Sequence, residues 1–345
     1  MNPATSPRPP LDARLLRIDT CAGSFADASV RDLPSMLRAG DLLVVNDAAT
    51  LPASLDGTGP SGRPLEVRLA AEREDGSWEA VLFGAGDWRT PTERRESPEV
   101  VEAGDGLRLG PALGARVTDV SPISRRLVTI RFDVPRARLW PLLYASGRPV
   151  QYSYLSRDLS LSEVQTSYAA RPVAAEPPSA GRPLTWSTLL ALKRRGVGVA
   201  SLTHAAGLSA TGDPELDRAL PLPERFEIPA ATLEAVWRSK ARGGRLVAAG
   251  TSVARALEGA ARLGGPGDLA PRGVTDVVLG PQTRPLVVDG LLSGVHEPGS
   301  SHYALLGAFV PEELLVAASA HAAAAGYLCH EFGDSTLVLC QGLGG

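Results

Sequence analysis

The first strong signal along the chain is a four-residue apolar run, Leu42-Leu43-Val44-Val45, bounded by Gly40-Asp41 and Asn46-Asp47. A short apolar run between turn residues predicts a buried strand. Just ahead of it, SVRDLPSMLRA (29–39) predicts a short amphipathic helix. From about 56 to 150 the texture changes to short alternating segments. Residues 65–69 (LEVRL), 78–83, 106–109, 116–120 and 127–132 read as strands separated by Gly and Pro turns. That spacing predicts an antiparallel barrel or sandwich. The stretch TPTERRESPEVVEAGDG (90–106) reads as a charged, solvated turn region.

From about 156 onward strands and helices alternate. Helices are predicted over 187–195, 230–241, 251–261, 303–309 and 311–325, and strands over 197–202, 275–279, 286–288 and 335–340, with a further buried strand inside 243–250. Alternation of this kind predicts an α/β architecture. No internal repeat is visible.

Composition narrows the class. The chain has 345 residues, 44% hydrophobic and 21% charged, with 36 Gly and 29 Pro. This is the make-up of a folded protein, and the length predicts two domains. No run of about 18 apolar residues occurs, so a membrane span is not expected. The first twenty residues lack the basic start and apolar core of a secretory leader. Three cysteines (Cys21, Cys329, Cys340) are too scattered for a disulfide framework and fit a reducing cytoplasm. The net charge of −3 gives no global basic footprint for nucleic acid. Only Lys193 and Lys240 are lysines, so the many arginines reflect a GC-rich codon usage more than phosphate binding.

Four segments carry candidate chemistry. Asn46 and Asp47 stand where a predicted strand gives way to a loop, where α/β folds collect ligands; turn residues bonding their own backbone look the same. AAGTSVARALE (248–258) is a strand, a Gly-Thr-Ser turn and a helix whose N-terminal amides suit an anion such as a carboxylate. SGVHEPGSSHYALLGAF (293–309) puts His296 and His302 in a Gly/Pro-punctuated loop before an apolar helix. They are candidate acid/base groups, or in the blander reading packed histidines with Ser300 or Ser301 as cap. LTHAAGLSATG (202–212) carries the lone His204, read as a surface or core histidine. No metal spacing, no GxSxG elbow and no GxGxxG after a strand is present.

Taken in order, these segments resemble the S-adenosylmethionine:tRNA ribosyltransferase-isomerase family of queuosine biosynthesis, over about 11 to 342. The resemblance is carried by GDLLVVNDAATLPASL (40–55), EVQTSYA (163–169), PSAGRPLT (178–185), ERFEI (224–228), GTSVARALE (250–258), the stretch from TDVVLGP to HYALLGAF (275–309) and EFGDSTLVL (331–339). Departures accompany it. Ala48 and Ala49 stand for the family's Thr-Arg, Ser54 for an arginine, Pro183 and Leu222 for histidines, and Gly294 and Gly299 for an asparagine and a lysine.

The resemblance implies a larger, barrel-like α/β catalytic domain, built from 1–57 and 152–345, with a small antiparallel β-barrel domain inserted at 58–151. It also implies transfer of the ribosyl moiety of S-adenosylmethionine to a 7-aminomethyl-7-deazaguanine base of a tRNA anticodon. Epoxyqueuosine forms, adenine and methionine leave, and no metal or further cofactor is needed. The alternative is an S-adenosylmethionine-dependent paralogue acting on a small molecule; a binding module without catalysis is a third reading. On the matched positions, Glu224 and His296 are the acid/base candidates, with Asp47 assisting. Asn46 and Asp47 are expected to hold substrate hydroxyls or orient a partner, Gln165, Thr166 and Tyr168 to line the adenosine pocket with Gly181, and Gly250, Thr251, Arg255 and Ser300 to bind substrate.

Overall fold

The computed structural model describes residues 1–339; Cys340, the last residue of the expected final strand, lies outside them. The apolar run forms the strand Leu42–Asn46, buried at every position. Its side chains alternate between two cores, as strand geometry requires. Leu42 and Val44 pack into one apolar cluster with Leu202, Leu246, Val253 and Leu257. Leu43 and Val45 pack into another with Val247, Leu184, Leu189 and Leu192. A sheet covered on both faces reads as a continuous apolar run, which is why this strand was legible.

It sits inside a nine-stranded mixed sheet. Gly198–His204, Leu42–Asn46, Leu246–Ala249 and Gly290–Gly294 run parallel and adjacent. Glu224–Glu227 pairs antiparallel with Gly198–His204 and with Arg272–Thr275 at one edge. Ser335–Leu339, Arg14–Asp19 and Ser24–Ser29 complete the other side. Closure belongs to the smaller unit, a six-stranded antiparallel barrel of Ser54–Thr58, Pro64–Glu72, Trp78–Phe83, Gly106–Arg108, Gly114–Val120 and Leu127–Phe132. The helix Arg136–Ser146, with Pro141 inside it, plugs this barrel through Leu139 and Leu143. It was not anticipated, because its interior proline and short apolar face hide the helical period.

Three expected elements are corrected. The helix expected over 29–39 shrinks to a 3-10 turn, Val30–Asp32, and one α-turn, Leu33–Met36. The Asp41 carboxylate takes the Arg38 amide and turns the chain instead. The strand expected over 275–279 ends at Thr275, and Val277 to Leu279 wall a cavity. Residues 286–288 form no strand: their three amides donate to the buried Glu258 carboxylate at 2.8, 3.0 and 3.0 Å, leaving none for a ladder.

Candidate active site

The four parallel strands end together, which brings His204, Asn46, Gly250 and Gly294 to one rim of the sheet. Glu224 joins them because its strand runs the opposite way and starts where Gly198–His204 stops. The crevice beyond the carboxyl ends of parallel strands is the usual ligand site of such sheets. Here it is a cavity of about 600 Å³. Among the described residues, six carboxyl groups line it (Glu93, Glu176, Asp217, Glu224, Glu297 and Glu331) against a single guanidinium, Arg255.

Local sequence explains each placement. Gly250 has φ +107°, a conformation that side chains resist, and it turns the strand Leu246–Ala249 directly into the helix Thr251–Gly264. Among the described residues no side chain caps that helix, so its first amides face the cavity without a side-chain acceptor. One turn in, Arg255 donates Nε to Val277 O at 3.1 Å and sets its second arm 2.7 Å from Glu224 Oε2. Glu224 Oε1 accepts the Gly207 amide at 2.7 Å, and Oε2 lies 3.3 Å from His204 Nε2. Burial raises the Glu224 carboxyl above its ordinary range, with Arg255 and the Gly207 amide opposing. Burial, aided by Arg255, drives His204 down to about 3.

His296 and His302 stack face to face, ring centres 4.9 Å apart. His296 Nε2 lies 2.9 Å from Ser293 Oγ. Burial, then the neighbouring imidazoles, hold His296 well below the usual range; burial and Arg255 hold His302 down too. Ser300 caps the helix Ser301–Leu306 by accepting the Tyr303 amide at 3.1 Å.

The depressed His204 makes a signed prediction. Unfolded, it takes a proton below about 6.5; folded, it resists one until about 3. Between those limits the unfolded chain binds more protons, so the stability His204 contributes is complete above the window and lost as pH falls through it. His204→Gln deletes that dependence. The melting-temperature gap between parent and variant is expected to narrow on acidification from pH 7 to 4, and thermal melts that keep it constant would contradict the assignment.

Comparison with known proteins adds to this geometry. Residues 2–338 match the family model described as queuosine biosynthesis protein. The chain belongs to that family. Within the queuosine biosynthesis family, it is 35% identical over 340 residues to the S-adenosylmethionine:tRNA ribosyltransferase-isomerase of Acidiphilium cryptum, spanning 96% of this chain and 93% of that relative. The enzyme of the same name from Thermus thermophilus is also 35% identical, across 96% of this chain and 94% of its own length. The crystal structure of S-adenosylmethionine tRNA ribosyltransferase from Thermotoga maritima superposes with a TM-score of 0.52 at 22% identity, covering 98% of this chain and 96% of that one. It shows the shared fold. The chain is an enzyme of this family, with a mixed α/β body and a closed β-barrel.

The fold divides the residues singled out by family resemblance into two groups. Glu224, Gly250, Thr251, Arg255, His296 and Ser300 all line the cavity. Asn46, Asp47, Gln165, Thr166, Tyr168 and Gly181 do not border it. Asn46 spends its amide mostly on the backbone, donating to His204 O at 3.0 Å and accepting from His204 N at 2.9 Å and Ala48 N at 3.0 Å, with a longer donation to Ser252 Oγ at 3.4 Å. Asp47 accepts from Thr203 Oγ1 at 2.6 Å and Ser201 Oγ at 3.2 Å. Gln165 clamps Thr50 through both its amide and its carbonyl, each at 2.9 Å. Gly181 is small because the Tyr168 hydroxyl occupies the space a Cβ would need, with the Thr166 methyl beside it. This group backs Ala180, which does reach the cavity.

His204, read on sequence as a surface or core histidine, joins the cluster, as does His302, one of the two acid/base candidates of the 293–309 loop. The wall of Tyr152, Tyr154, Glu176, His330 and Glu331 had no sequence signal, since no short-range pattern links those positions. Sequence spacing showed no metal set, yet the fold brings donor atoms of Glu297, Cys329 and His330 within 4.8 Å of one another.

Proposed function

We propose that this enzyme transfers the ribosyl moiety of S-adenosylmethionine to a 7-aminomethyl-7-deazaguanine base in tRNA, forming epoxyqueuosine and releasing adenine and methionine. The observation that carries the reading is the charge of the cavity. Six carboxyl groups against one guanidinium suit cations, and both reactants bring one, a sulfonium and an aminomethyl ammonium; burial raises Glu176, Glu224 and Glu331, and a cation beside them favours their ionised forms. The uncapped helix N-terminus at Gly250-Thr251 offers amides to the methionine carboxylate, the anionic part of the donor.

The sulfonium acidifies the adjacent ribose C5′ hydrogens, and a base within reach takes one. Glu224 and His296 fill the acid/base roles. Glu224 has its proton affinity lifted by burial, and His296 stays a neutral acceptor at neutral pH. Positioning of the amine against the electrophilic carbon supplies much of the remaining rate. Asn46, Asp47, Gln165, Thr166, Tyr168 and Gly181 act as positioning residues that fix the strand ends and the Ala180 wall. In the division we propose, 58–151 is the inserted barrel domain and 1–57 with 152–345 the catalytic domain. Barrel strands and the plugging helix share one apolar cluster, which supports an inserted barrel, but its first strand, Ser54–Thr58, begins ahead of residue 58, so the barrel starts at Ser54. Among the described residues no helix is long and apolar enough to cross a membrane.

The test is incubation with S-adenosylmethionine and an anticodon stem-loop bearing the deazaguanine, the free aminomethyl-deazaguanine base, or neither, followed by mass spectrometry. Ribosylated stem-loop and free adenine are expected, with stem-loop affinity falling steeply as salt rises. The acidic lining also suits a small cationic acceptor. Product on the free base alone would favour that second reading and sink the tRNA one.

A further inference from the structure

One feature of the cavity wall takes no part in the chemistry above. Arg68, buried in the barrel and ion-paired to Glu66 at 2.7 Å, places its guanidinium over the Tyr152 ring at 5.7 Å. Tyr152 stacks on Tyr154, ring centres 6.2 Å apart and planes 18° apart. Tyr154 stacks on His330 at 4.6 Å and 16°. The tyrosine hydroxyls are pinned, Tyr152 to Glu176 and Tyr154 to Glu331. His330 Nε2 lies 3.3 Å from Glu297 Oε2, which fixes the imidazole plane. Tyr152, Tyr154 and His330 all border the cavity. The row is therefore closed at the barrel by a buried guanidinium, while its His330 end, with a side chain 35% exposed, is open. His330 also holds φ +68°, an uncommon conformation for a residue with a side chain and one that concentrates at ligand sites.

We infer that His330 is the platform on which the acceptor base stacks, at the open end of the Arg68–Tyr152–Tyr154–His330 row, with Glu297 and Glu331 taking the base's donor edge and its ammonium. This rests on the reaction proposed above. Splayed bases are recognised by stacking on aromatic rings and hydrogen bonding at their edges. Burial raises the Glu331 carboxyl, and an ammonium brought beside it favours the ionised form; ionised, it accepts only, and its four lone-pair sites are not exhausted by one tyrosine hydroxyl. A guanine-type edge presents two adjacent donors, N1–H and the 2-amino group, and so matches it. An adenine edge sets an acceptor nitrogen beside its amino group and meets a carboxylate lone pair to lone pair. The aminomethyl cation adds a second reason for the deazaguanine.

The experiment measures binding and turnover separately. Fluorescence anisotropy gives the Kd for a labelled anticodon stem-loop carrying the aminomethyl-deazaguanine, and steady-state adenine release gives KM for S-adenosylmethionine. His330→Asn removes the ring while tolerating the left-handed backbone, and His330→Phe restores a ring. His330→Asn is expected to weaken stem-loop binding about 10-fold or more, with KM for S-adenosylmethionine and the melting temperature unchanged and with His330→Phe recovering most of the affinity. An unaltered stem-loop Kd in His330→Asn overturns the inference. So does a loss confined to KM for S-adenosylmethionine, which would place adenine on the ring. A parent that binds the stem-loop through His330 yet transfers no ribosyl group would sink the proposed reaction and leave the platform standing.

Discussion

Glu224→Gln is expected to lower adenine release from S-adenosylmethionine by about 10²–10⁴-fold, the range supplied by a positioned acid/base group. The glutamine carbonyl can still accept the Gly207 amide, so the loop geometry survives. What disappears is the carboxylate 2.7 Å from Arg255 and 3.3 Å from His204. The loss should appear in kcat, with binding of S-adenosylmethionine little changed. His296→Ala should fall in the same way, because its Ser293 partner cannot replace the ring. Chromatographic quantitation of adenine checks both, and unchanged turnover in the two variants would remove these residues from the reaction. A circular-dichroism melt alongside shows whether Arg255, left without its anion, also destabilises the fold.

The second large effect concerns stability. Glu66→Ala is expected to destabilise the protein by about 3–5 kcal/mol, as removing one partner of a buried ion cluster does. Glu66 is 2% exposed and joins Arg68 at 2.7 Å, Arg95 at 2.6 Å and Ser54 Oγ at 2.8 Å. Arg95 reaches on to the carbonyls of Gly84 and Gly86, tying the charged turn region to the barrel. Without the carboxylate, two guanidiniums stay in the barrel interior without the anion they are paired to. Denaturant unfolding monitored through tryptophan fluorescence measures this; a loss below about 1 kcal/mol would mean that water reaches the cluster. This cluster also explains why residues 90–106, read on sequence as a solvated loop, contribute a buried arginine to the barrel.

What the sequence alone determined were the features written in local periodicity. The strand Leu42–Asn46, the strand-turn-helix at Gly250-Thr251, the antiparallel middle and the α/β remainder each lie within a dozen residues of their own signal, because side-chain alternation and helical repeat are nearest-neighbour properties. The family's residues added Glu224, Arg255 and His296 as candidates. Tertiary structure alone decided which candidates meet. His204 and Glu224 come together because antiparallel pairing folds one strand back on the other. Arg255 and His302 arrive on separate helices. Glu258 captures three amides that sequence assigns to a strand. Asn46 and Gln165 look like ligand groups in one dimension, yet their shorter hydrogen bonds go to the backbone. The reason is common to all of these. A polar side chain's role is set by which donors and acceptors lie within about 3 Å when water is removed, and that depends on contacts far along the chain.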